Sequence, residues 1–402
     1  MKKRPVSNDK PTVHKTIHIP LPEGKLKLRA VLVAALIVLA VASLAIGVNS
    51  LVSTDAGLQE ITVLSGEMNA GEDFTFYYNL GYDGADATDE RREVRTIYSE
   101  AAGDALQLFS ADVDSEEFHN LRYINSHPNE EITVDAALYS ALELLEDSGT
   151  RYHYLAPLYE QYYSLFNSAL DSEAAEFDPR LNEAQAEFFS AVAVYAADGA
   201  HVSLELLGGN TVRLNVSGEY LSFAEDNAVA RFVDLAWMEN AFVADYIAEE
   251  LAGAGYTRGA LISNDGFMRC LDGESGSEYS FTFSHRDGNT ITGMSTLRFA
   301  GTVSMVYLHD YPLENDNTAN YYVYEDGTIR SAFLDVADGL DRTAIPELAA
   351  YSYTLSCADT ALLVAPIYIA GSFDLEALEA LDGAGVSAYY YEAGVLRLTG
   401  EA

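Results

Sequence analysis

The sequence predicts an α+β domain that follows a single membrane-spanning helix. An uncharged apolar run covers residues 30–48 and is long enough to cross a bilayer. Behind it, segments with the two-residue period of strands and the 3.6-residue period of helices occur in mixed order to the end of the chain. We therefore expect four parts: a basic tail over 1–28, a transmembrane helix over 29–51, a stalk over 52–65 and a folded domain over 66–402.

The uneven charge of the chain orients the predicted membrane helix. Eight of the 23 Lys and Arg residues lie in residues 1–29, and acidic residues follow the apolar run. The positive-inside rule then places the N-terminus in the cytoplasm and the domain outside, in the cell membrane. A cleaved signal peptide is the alternative interpretation. Because no cysteine directly follows the apolar run, a lipoprotein anchor is excluded.

The folded domain is strongly acidic. Residues 30–402 contain 15 arginines and no lysine against 60 acidic residues, which gives a formal charge of −45. Such a surface repels nucleic acid and anionic lipid, so we expect no nucleic-acid partner. The two cysteines, Cys270 and Cys357, could form a disulfide outside the cell or remain buried thiols.

The first half of the domain alternates helices and strands. An aromatic strand is predicted over 74–82 and a helix over 90–109. Asp135 stands where a helix N-cap belongs. Two strands over 202–207 and 212–216 flank a Gly-Gly-Asn turn and predict a hairpin.

The central stretch, residues 228–271, predicts a strand, a helix, a tight loop and a second strand. Asp234 is placed to cap the helix. The helix ends at Gly253, because glycine tolerates the left-handed conformation that closes helices. The only tryptophan of the chain, Trp237, falls in the first helical turn. Further strands follow to the C-terminus, and no internal repeat is present.

This central stretch resembles the main motif of the ApbE-type FAD:protein FMN transferases, D-L-G-G-I-A-K-G-Y-A-x-D followed by N-x-G-G-N. Here the motif starts at Asp234 and ends at Asp245, and Asn264-Asp265-Gly266 corresponds to its second part. Both aspartates and the helical register are kept, whereas the paired glycines and the lysine are replaced. The resemblance implies an ApbE-like, T-fold-related ectodomain that binds FAD and Mg²⁺.

Weaker matches to the same family occur in the family's order over residues 66–402. Phe177-Asp178-Pro179 resembles G-A-F-D-P-T, a flavin-contacting segment. Asp335 and Gly339 match two positions of H-I-I-D-P-x-T-G. Asp359 matches the aspartate of A-D-A-L-A-T, which supplies metal ligands, but the ligand threonine falls on Leu363.

The resemblance assigns expected roles to particular residues. Asp359 is the expected metal ligand, and Asp234 and Asp335 are the expected catalytic residues. The expected cofactor-binding residues are Phe177, Asp178, Asp234, Trp237, Asn240, Asn264 and Gly266. An aromatic stripe of Tyr159, Tyr162, Tyr163 and Phe166 could stack on a flavin ring, although helical spacing favours an ordinary core face.

Two functions of different class follow from these residues. One is a Mg²⁺-dependent FAD:protein FMN transferase that modifies extracytoplasmic domains of membrane redox proteins. The other is a non-catalytic module that keeps the scaffold and binds flavin or a protein. Loss of the motif's glycines, threonine and lysine favours reduced or lost activity, since Trp237 would fill space that a glycine leaves open.

Overall fold

The computed structural model describes residues 54–64, 68–271, 277–288, 290–313 and 320–400. Within these ranges no helix is long and apolar enough to cross a membrane. The predicted cytoplasmic tail and transmembrane helix, over 1–28 and 29–51, lie outside the described residues. The described residues from 55 onwards belong to one compact unit.

The described residues form a mixed α/β domain, in agreement with the sequence. The α-helices are α1 Ala87–Phe109, α2 Leu121–Ser126, α3 Ala136–Ser148, α4 Ala156–Phe166, α5 Asp171–Phe177, α6 Glu183–Ala197, α7 Gly218–Asp226, α8 Glu239–Gly253, α9 Cys357–Tyr368 and α10 Leu375–Ala380. The strands are β1 Gly57–Ile61, β2 Phe74–Leu80, β3 Glu131–Thr133, β4 Val202–Gly208, β5 Thr211–Val216, β6 Gly259–Ser263, β7 Phe267–Cys270, β8 Glu278–Asp287, β9 Thr290–Ala300, β10 Val303–His309, β11 Tyr321–Val323, β12 Ile329–Ser331, β13 Glu347–Ser352, β14 Val386–Glu392 and β15 Val395–Leu398.

An eight-stranded antiparallel sheet organises the domain, in the order β1-β2-β6-β7-β10-β13-β14-β15. Strand β1 pairs with β2 over its whole length, from Gly57 opposite Leu80 to Ile61 opposite Phe76. Part of the segment predicted as a stalk is thus the edge strand of the sheet. The domain therefore begins before residue 66, because these residues bury Ile61 in the core.

The two faces of the large sheet are covered differently. Helices α1, α8 and α9 pack on one face, against alternating side chains such as Phe76, Leu261 and Val306. The hairpin β8–β9 packs on the opposite face, where Phe283 contacts a cluster that includes Met305. Strands buried on both faces explain the near-continuous apolar sequence of β10.

Most elements predicted from periodicity are present. Asp135 caps α3 by accepting a hydrogen bond from the Ala137 N–H at 2.8 Å. Strands β4 and β5 form the predicted hairpin, which β3 extends to a three-stranded sheet. Cys270 and Cys357 are buried thiols and form no disulfide within the described part of the chain. The same burial raises the pKa of the Cys357 thiol well above its usual value.

Candidate functional site

The turn that leads into α8 positions the first aspartate of the central motif. The Asp234 carboxylate accepts a hydrogen bond from the Ala236 N–H at 2.8 Å. It therefore caps a 3-10 turn, Ala236–Met238, and α8 starts only at Glu239 rather than directly after Asp234. Ala236 has a φ of +47°, a left-handed conformation that favours glycine. This is the first of the paired glycine positions of the resembling motif.

A cavity of ≈ 560 Å³ lies beside this turn. We call it the α8 cavity. One wall is α4, which carries the aromatic stripe, and another is the 234–239 turn. The cavity is lined by Asp112, Tyr159, Glu160, Tyr162, Tyr163, Ser164, Phe166, Arg231, Asp234, Ala236, Trp237, Glu239, Asn320 and Ala332. Its size is in the usual range for small-molecule sites.

The aromatic side chains of the α8 cavity are mostly buried. Tyr162 is fully buried and Tyr159 nearly so, whereas Tyr163 is 61% exposed. Trp237 is 4% exposed and packs edge-to-face on Phe333, with ring centroids 5.3 Å apart. The indole thus fills volume at the second glycine position of the motif. Tyr159, Tyr162 and Phe166 belong to the hydrophobic core as well as to the cavity wall, whereas Tyr163 lies in the wall alone. Stacking on a flavin ring stays a prediction.

Two buried polar atoms of this wall lack hydrogen-bond partners among the described residues. They are the indole Nε1 of Trp237 and the hydroxyl oxygen of Tyr159. The two groups lie near each other, but their geometry is not that of a hydrogen bond. A buried polar group without a partner is uncommon, because its desolvation is not offset.

The electrostatics of the α8 cavity are dominated by carboxylates. Asp112, Glu160, Asp234 and Glu239 line it together with one cation, Arg231. Arg231 is already paired, by hydrogen bonds to Asp112 and by a 3.7 Å contact between its Nη1 and the Asp234 Oδ2. Four carboxylates against one guanidinium give the lining a formal charge of −3 when all are ionised.

Burial and mutual repulsion perturb these acids. Burial raises the pKa of Asp234 to about 6, although Arg231 and the Ala236 N–H oppose the shift. The pKa of Glu239 is raised to about 8, by desolvation first and then by the charges of Asp234, Asp73 and other carboxylates.

Three expected cofactor-binding residues join a polar network beyond the start of α8. The Asn240 Nδ2 donates to Asp265 at 2.8 Å, and the Asn264 Nδ2 donates to Asp73 at 3.0 Å. Gly266 has a φ of +101°, and a Cβ there would lie 2.1 Å from the Tyr307 backbone oxygen. The glycine is therefore required by the close approach of strand β10, whatever binds nearby.

Phe177 and Asp178 lie away from the α8 cavity. Phe177 ends α5 and packs in a small cluster with Leu165 and Tyr324. Asp178 is fully buried, and its Oδ2 accepts hydrogen bonds from Arg330 Nε at 2.8 Å and the Tyr324 hydroxyl at 2.9 Å. The hydrogen-bond donors to this carboxylate oxygen are therefore protein side chains.

Asp335 is also held in a local turn. Its Oδ1 accepts a hydrogen bond from the Ala337 N–H at 2.9 Å, and its Oδ2 lies 3.2 Å from the Arg342 Nη1. Its backbone oxygen accepts from Gly339 at 2.7 Å. These contacts make Asp335 the cap of a turn, and Asp335 does not line the α8 cavity.

The remaining two motif aspartates meet at the start of α9. Asp245 accepts hydrogen bonds from the N–H groups of Cys357 and Ala358 at 2.9 and 2.8 Å. Asp359 forms a capping box with Ser356, whose hydroxyl and N–H both donate to its Oδ2 at 2.8 and 3.2 Å. Asp245 and Asp359 line a second cavity of ≈ 510 Å³, separate from the α8 cavity.

The domain is similar in structure to several flavin transferases. The ApbE protein of Thermotoga maritima matches with a TM-score of 0.59 and 13% identity, over 85% of this chain and 97% of that one. The flavin transferase ApbE of Vibrio cholerae matches with a TM-score of 0.55 and 13% identity, over 86% and 97%. The flavinyl transferase ApbE of Pseudomonas stutzeri gives 0.52 and 16%, over 86% and 95%.

The domain has the ApbE fold. The resemblance read from the eroded motifs is confirmed at this level. No protein-family model and no curated protein sequence matches the chain. At identities of 11–16% the similarity shows a shared fold.

The residues of this ApbE-like domain do not fit the expected Mg²⁺ site. Magnesium requires several oxygen ligands in octahedral geometry. Asp359 is engaged in its capping box, and Leu363, one helical turn further on, has no donor atom. Among the described residues, no group of three or more His, Cys, Asp or Glu side chains could hold a metal ion.

The sequence pattern did not reveal the charged lining of the α8 cavity. Asp112 and Arg231 lie 119 residues apart in sequence, and neither belongs to a motif. Glu239 offered one local signal, since it replaces an apolar position of the resembling motif within the first turn of the helix. The pair Ser356-x-x-Asp359 was a second signal, because this spacing is typical of a capping box.

Proposed function

We propose that this protein is a membrane-anchored, extracytoplasmic ApbE-like module that binds a ligand or a partner and has lost flavin transfer. The observation that carries the proposal is the charge of the α8 cavity. Four carboxylates line it, and its single arginine is paired with two of them. The diphosphate of FAD would meet repulsion there, because no described lining residue offers an unpaired cation.

The rest of the domain supplies few free cations. All 15 positive residues after Arg29 are arginines. Counting only pairs between described residues, twelve of them form ion pairs with acidic side chains: Arg92, Arg122, Arg180, Arg213, Arg231, Arg258, Arg269, Arg286, Arg298, Arg330, Arg342 and Arg397. Phosphoryl transfer depends on positioning and charge neutralisation, which this arrangement disfavours.

The helix N-termini of the motif do not replace the missing cations as a phosphate-binding site. The N-terminus of α9 could attract a phosphate through its free N–H groups. However, the Asp245 carboxylate already accepts the N–H groups of Cys357 and Ala358. The surviving aspartates are therefore explained by caps, turns and buried ion pairs, which do not require a nucleotide.

One observation favours the alternative, a Mg²⁺-dependent FAD:protein FMN transferase. Asp245 and Asp359 line the same cavity, and Asp359 retains partial exposure. Two carboxylates beside one cavity are the minimum from which a metal site could be completed by a substrate. In that case the targets would be the extracytoplasmic domains of membrane redox proteins.

The test is incubation of the protein with FAD in the presence and absence of Mg²⁺, with chromatographic detection of AMP and FMN. The flavin transferase of Vibrio cholerae serves as the positive control in the same buffers. We expect no AMP release from this chain under conditions in which the control turns over. Mg²⁺-dependent release of AMP would overturn the proposal and establish the alternative.

A further inference from the structure

We propose that a polar cavity beside strand β12 binds a neutral sugar, as a simple glycoside or as the end unit of a glycan. This cavity has a volume of ≈ 320 Å³ and shares no lining residue with the α8 cavity. We call it the β12 cavity. The inference goes beyond the proposed function, because it concerns a different cavity and holds whether or not the domain transfers flavin. The polar residues that line it are Arg286, Asp310, Ser331, Asp341, Arg342 and Thr343.

The first argument is the charge of the lining. The guanidinium groups of Arg286 and Arg342 are balanced by the carboxylates of Asp310 and Asp341, so the formal charges sum to zero. A free anion or a free cation therefore gains no net attraction from these four groups. The β12 cavity differs in this respect from the acidic α8 cavity, and its lining is suited to a ligand without charge.

The second argument is the hydrogen-bonding capacity that the ion pairs of the lining leave over. A charged ligand would have to displace an existing partner, whereas a neutral ligand leaves each pair intact. A guanidinium has five N–H donors and a carboxylate has about four acceptor sites, so one ion pair does not exhaust either group. Sugar hydroxyls both donate and accept, and they can use what remains. The existing pairs are Arg286–Asp310 at 2.9 Å, Arg180–Asp341 at 3.0 Å and Arg342–Asp335 at 3.2 Å.

The third argument is the hydroxyl of Ser331. This residue is only 4% exposed, and its hydroxyl makes no hydrogen bond within the described part of the chain. Side chains alternate along β12. That of Arg330 points to Asp178, which places Ser331 and Ile329 together on the face that lines the cavity. A buried hydroxyl without a partner is uncommon, and a ligand hydroxyl in the cavity would satisfy it.

The fourth argument is an apolar hollow that adjoins the β12 cavity. The hollow has a volume of ≈ 210 Å³ and shares Arg286 and Ile329 with the cavity. Pro312 and Val323 also line it, and Val323 is 48% exposed. A pyranose ring has the same division, with hydroxyl groups at its edge and C–H groups on its faces. Burial of those C–H groups against the hollow adds affinity that a wholly polar ligand does not gain.

The experiment is ligand-observed saturation-transfer NMR on the full-length chain, purified in a polyoxyethylene detergent that carries no sugar. The probes are the methyl glycosides of glucose, galactose, mannose and N-acetylglucosamine, compared with inorganic phosphate and glycine betaine. We expect saturable binding of at least one glycoside with a Kd below about 10 mM. We expect no binding of phosphate or of betaine.

Matched variants locate the site. Ser331→Ala removes only the hydroxyl from the β12 cavity, and Ser190→Ala removes a hydroxyl from a groove elsewhere on the domain. We expect glycoside affinity to fall about fivefold in the first variant, the usual effect of one lost hydrogen bond, and to stay unchanged in the second. Circular dichroism of both variants verifies that they are folded.

Particular results would overturn this inference. Absence of saturable binding by all four glycosides would do so, as would binding of phosphate or betaine in their place. Equal affinity of the two serine variants for a glycoside would also refute the assignment to the β12 cavity. The assay with FAD is independent of these outcomes: release of AMP refutes the proposed function and leaves the sugar site standing.

Discussion

Replacing Asp178 with alanine should destabilise the domain and leave its ligand chemistry unchanged. Asp178 is fully buried, and its Oδ2 accepts hydrogen bonds from Arg330 Nε and the Tyr324 hydroxyl. Arg330 is only 8% exposed. Removing one partner of a buried ion pair leaves the other charge uncompensated and costs about 3–5 kcal/mol.

This magnitude can be converted into a shift of melting temperature. The entropy of unfolding is about 2.1 cal/mol/K per residue, so a domain of roughly 350 residues loses about 1.4 °C for each kcal/mol. Asp178→Ala should therefore lower Tm by about 4–7 °C, as measured by circular dichroism at neutral pH. An Asp178→Ala/Arg330→Ala pair should recover part of the loss, because it removes both charges.

The matched control is an ion pair of the same type on the surface. Arg298 and Glu278 lie 3.4 Å apart with side chains 69% and 61% exposed. Glu278→Ala should change Tm by about 1 °C or less, since exposed pairs contribute little. A Tm for Asp178→Ala within that same range would refute the assignment of a structural role, and a lowered flavin affinity at unchanged Tm would restore the expected cofactor contact.

Three further predictions concern the surroundings of α8. Ala236→Gly should raise stability by up to about 1 kcal/mol in urea denaturation, because glycine relieves the left-handed strain of Ala236; a loss of stability would contradict this. Gly266→Ala should destabilise by more than about 2 kcal/mol in the same assay, since its Cβ would collide with the Tyr307 backbone oxygen; an unchanged midpoint would show that the turn adjusts freely. Because the folded-state pKa of Glu239 is about 8 against an ordinary 4.5, the folded protein holds a proton that the unfolded chain releases, and stability falls as pH rises through that window. Glu239→Gln should thus melt higher than wild type at pH 8.5 and equally at pH 4.5, whereas a constant difference would refute the shift.

The sequence was informative where a structural signal is local. The hydrophobic period of α1 and the cap at Asp135 depend on neighbouring residues, and both are present as predicted. Helix α8 is present too, although it begins at Glu239 rather than directly after Asp234. Sheet order was not predictable in the same way, because β2 pairs with β6, nearly two hundred residues further on. The resemblance to ApbE proteins predicted the fold class but not the strand order.

The roles of the candidate site residues could not be predicted from the sequence. A motif match identifies positions, but the role of a carboxylate depends on its partners in space. The motif predicts that Asp178 contacts a flavin, but in the structure its carboxylate accepts hydrogen bonds from Arg330 and Tyr324. The motif likewise predicts that Asp359 is a metal ligand, but in the structure it accepts two hydrogen bonds from Ser356. An aspartate that remains at a motif position can therefore have a structural role, such as a helix cap, as readily as a catalytic one.

The contact between Asp245 and the start of α9 has a consequence for the synthesis of the chain. Asp245 lies in the middle of α8, and its backbone partners Cys357 and Ala358 follow 112 and 113 residues later. Until those residues have left the ribosome, the Asp245 carboxylate lacks these two hydrogen-bond donors, and burying it without them is unfavourable. We infer that helix α8 docks on the sheet late, once residues 357 and 358 have left the ribosome, and that any truncation before residue 357 removes both of these N–H donors.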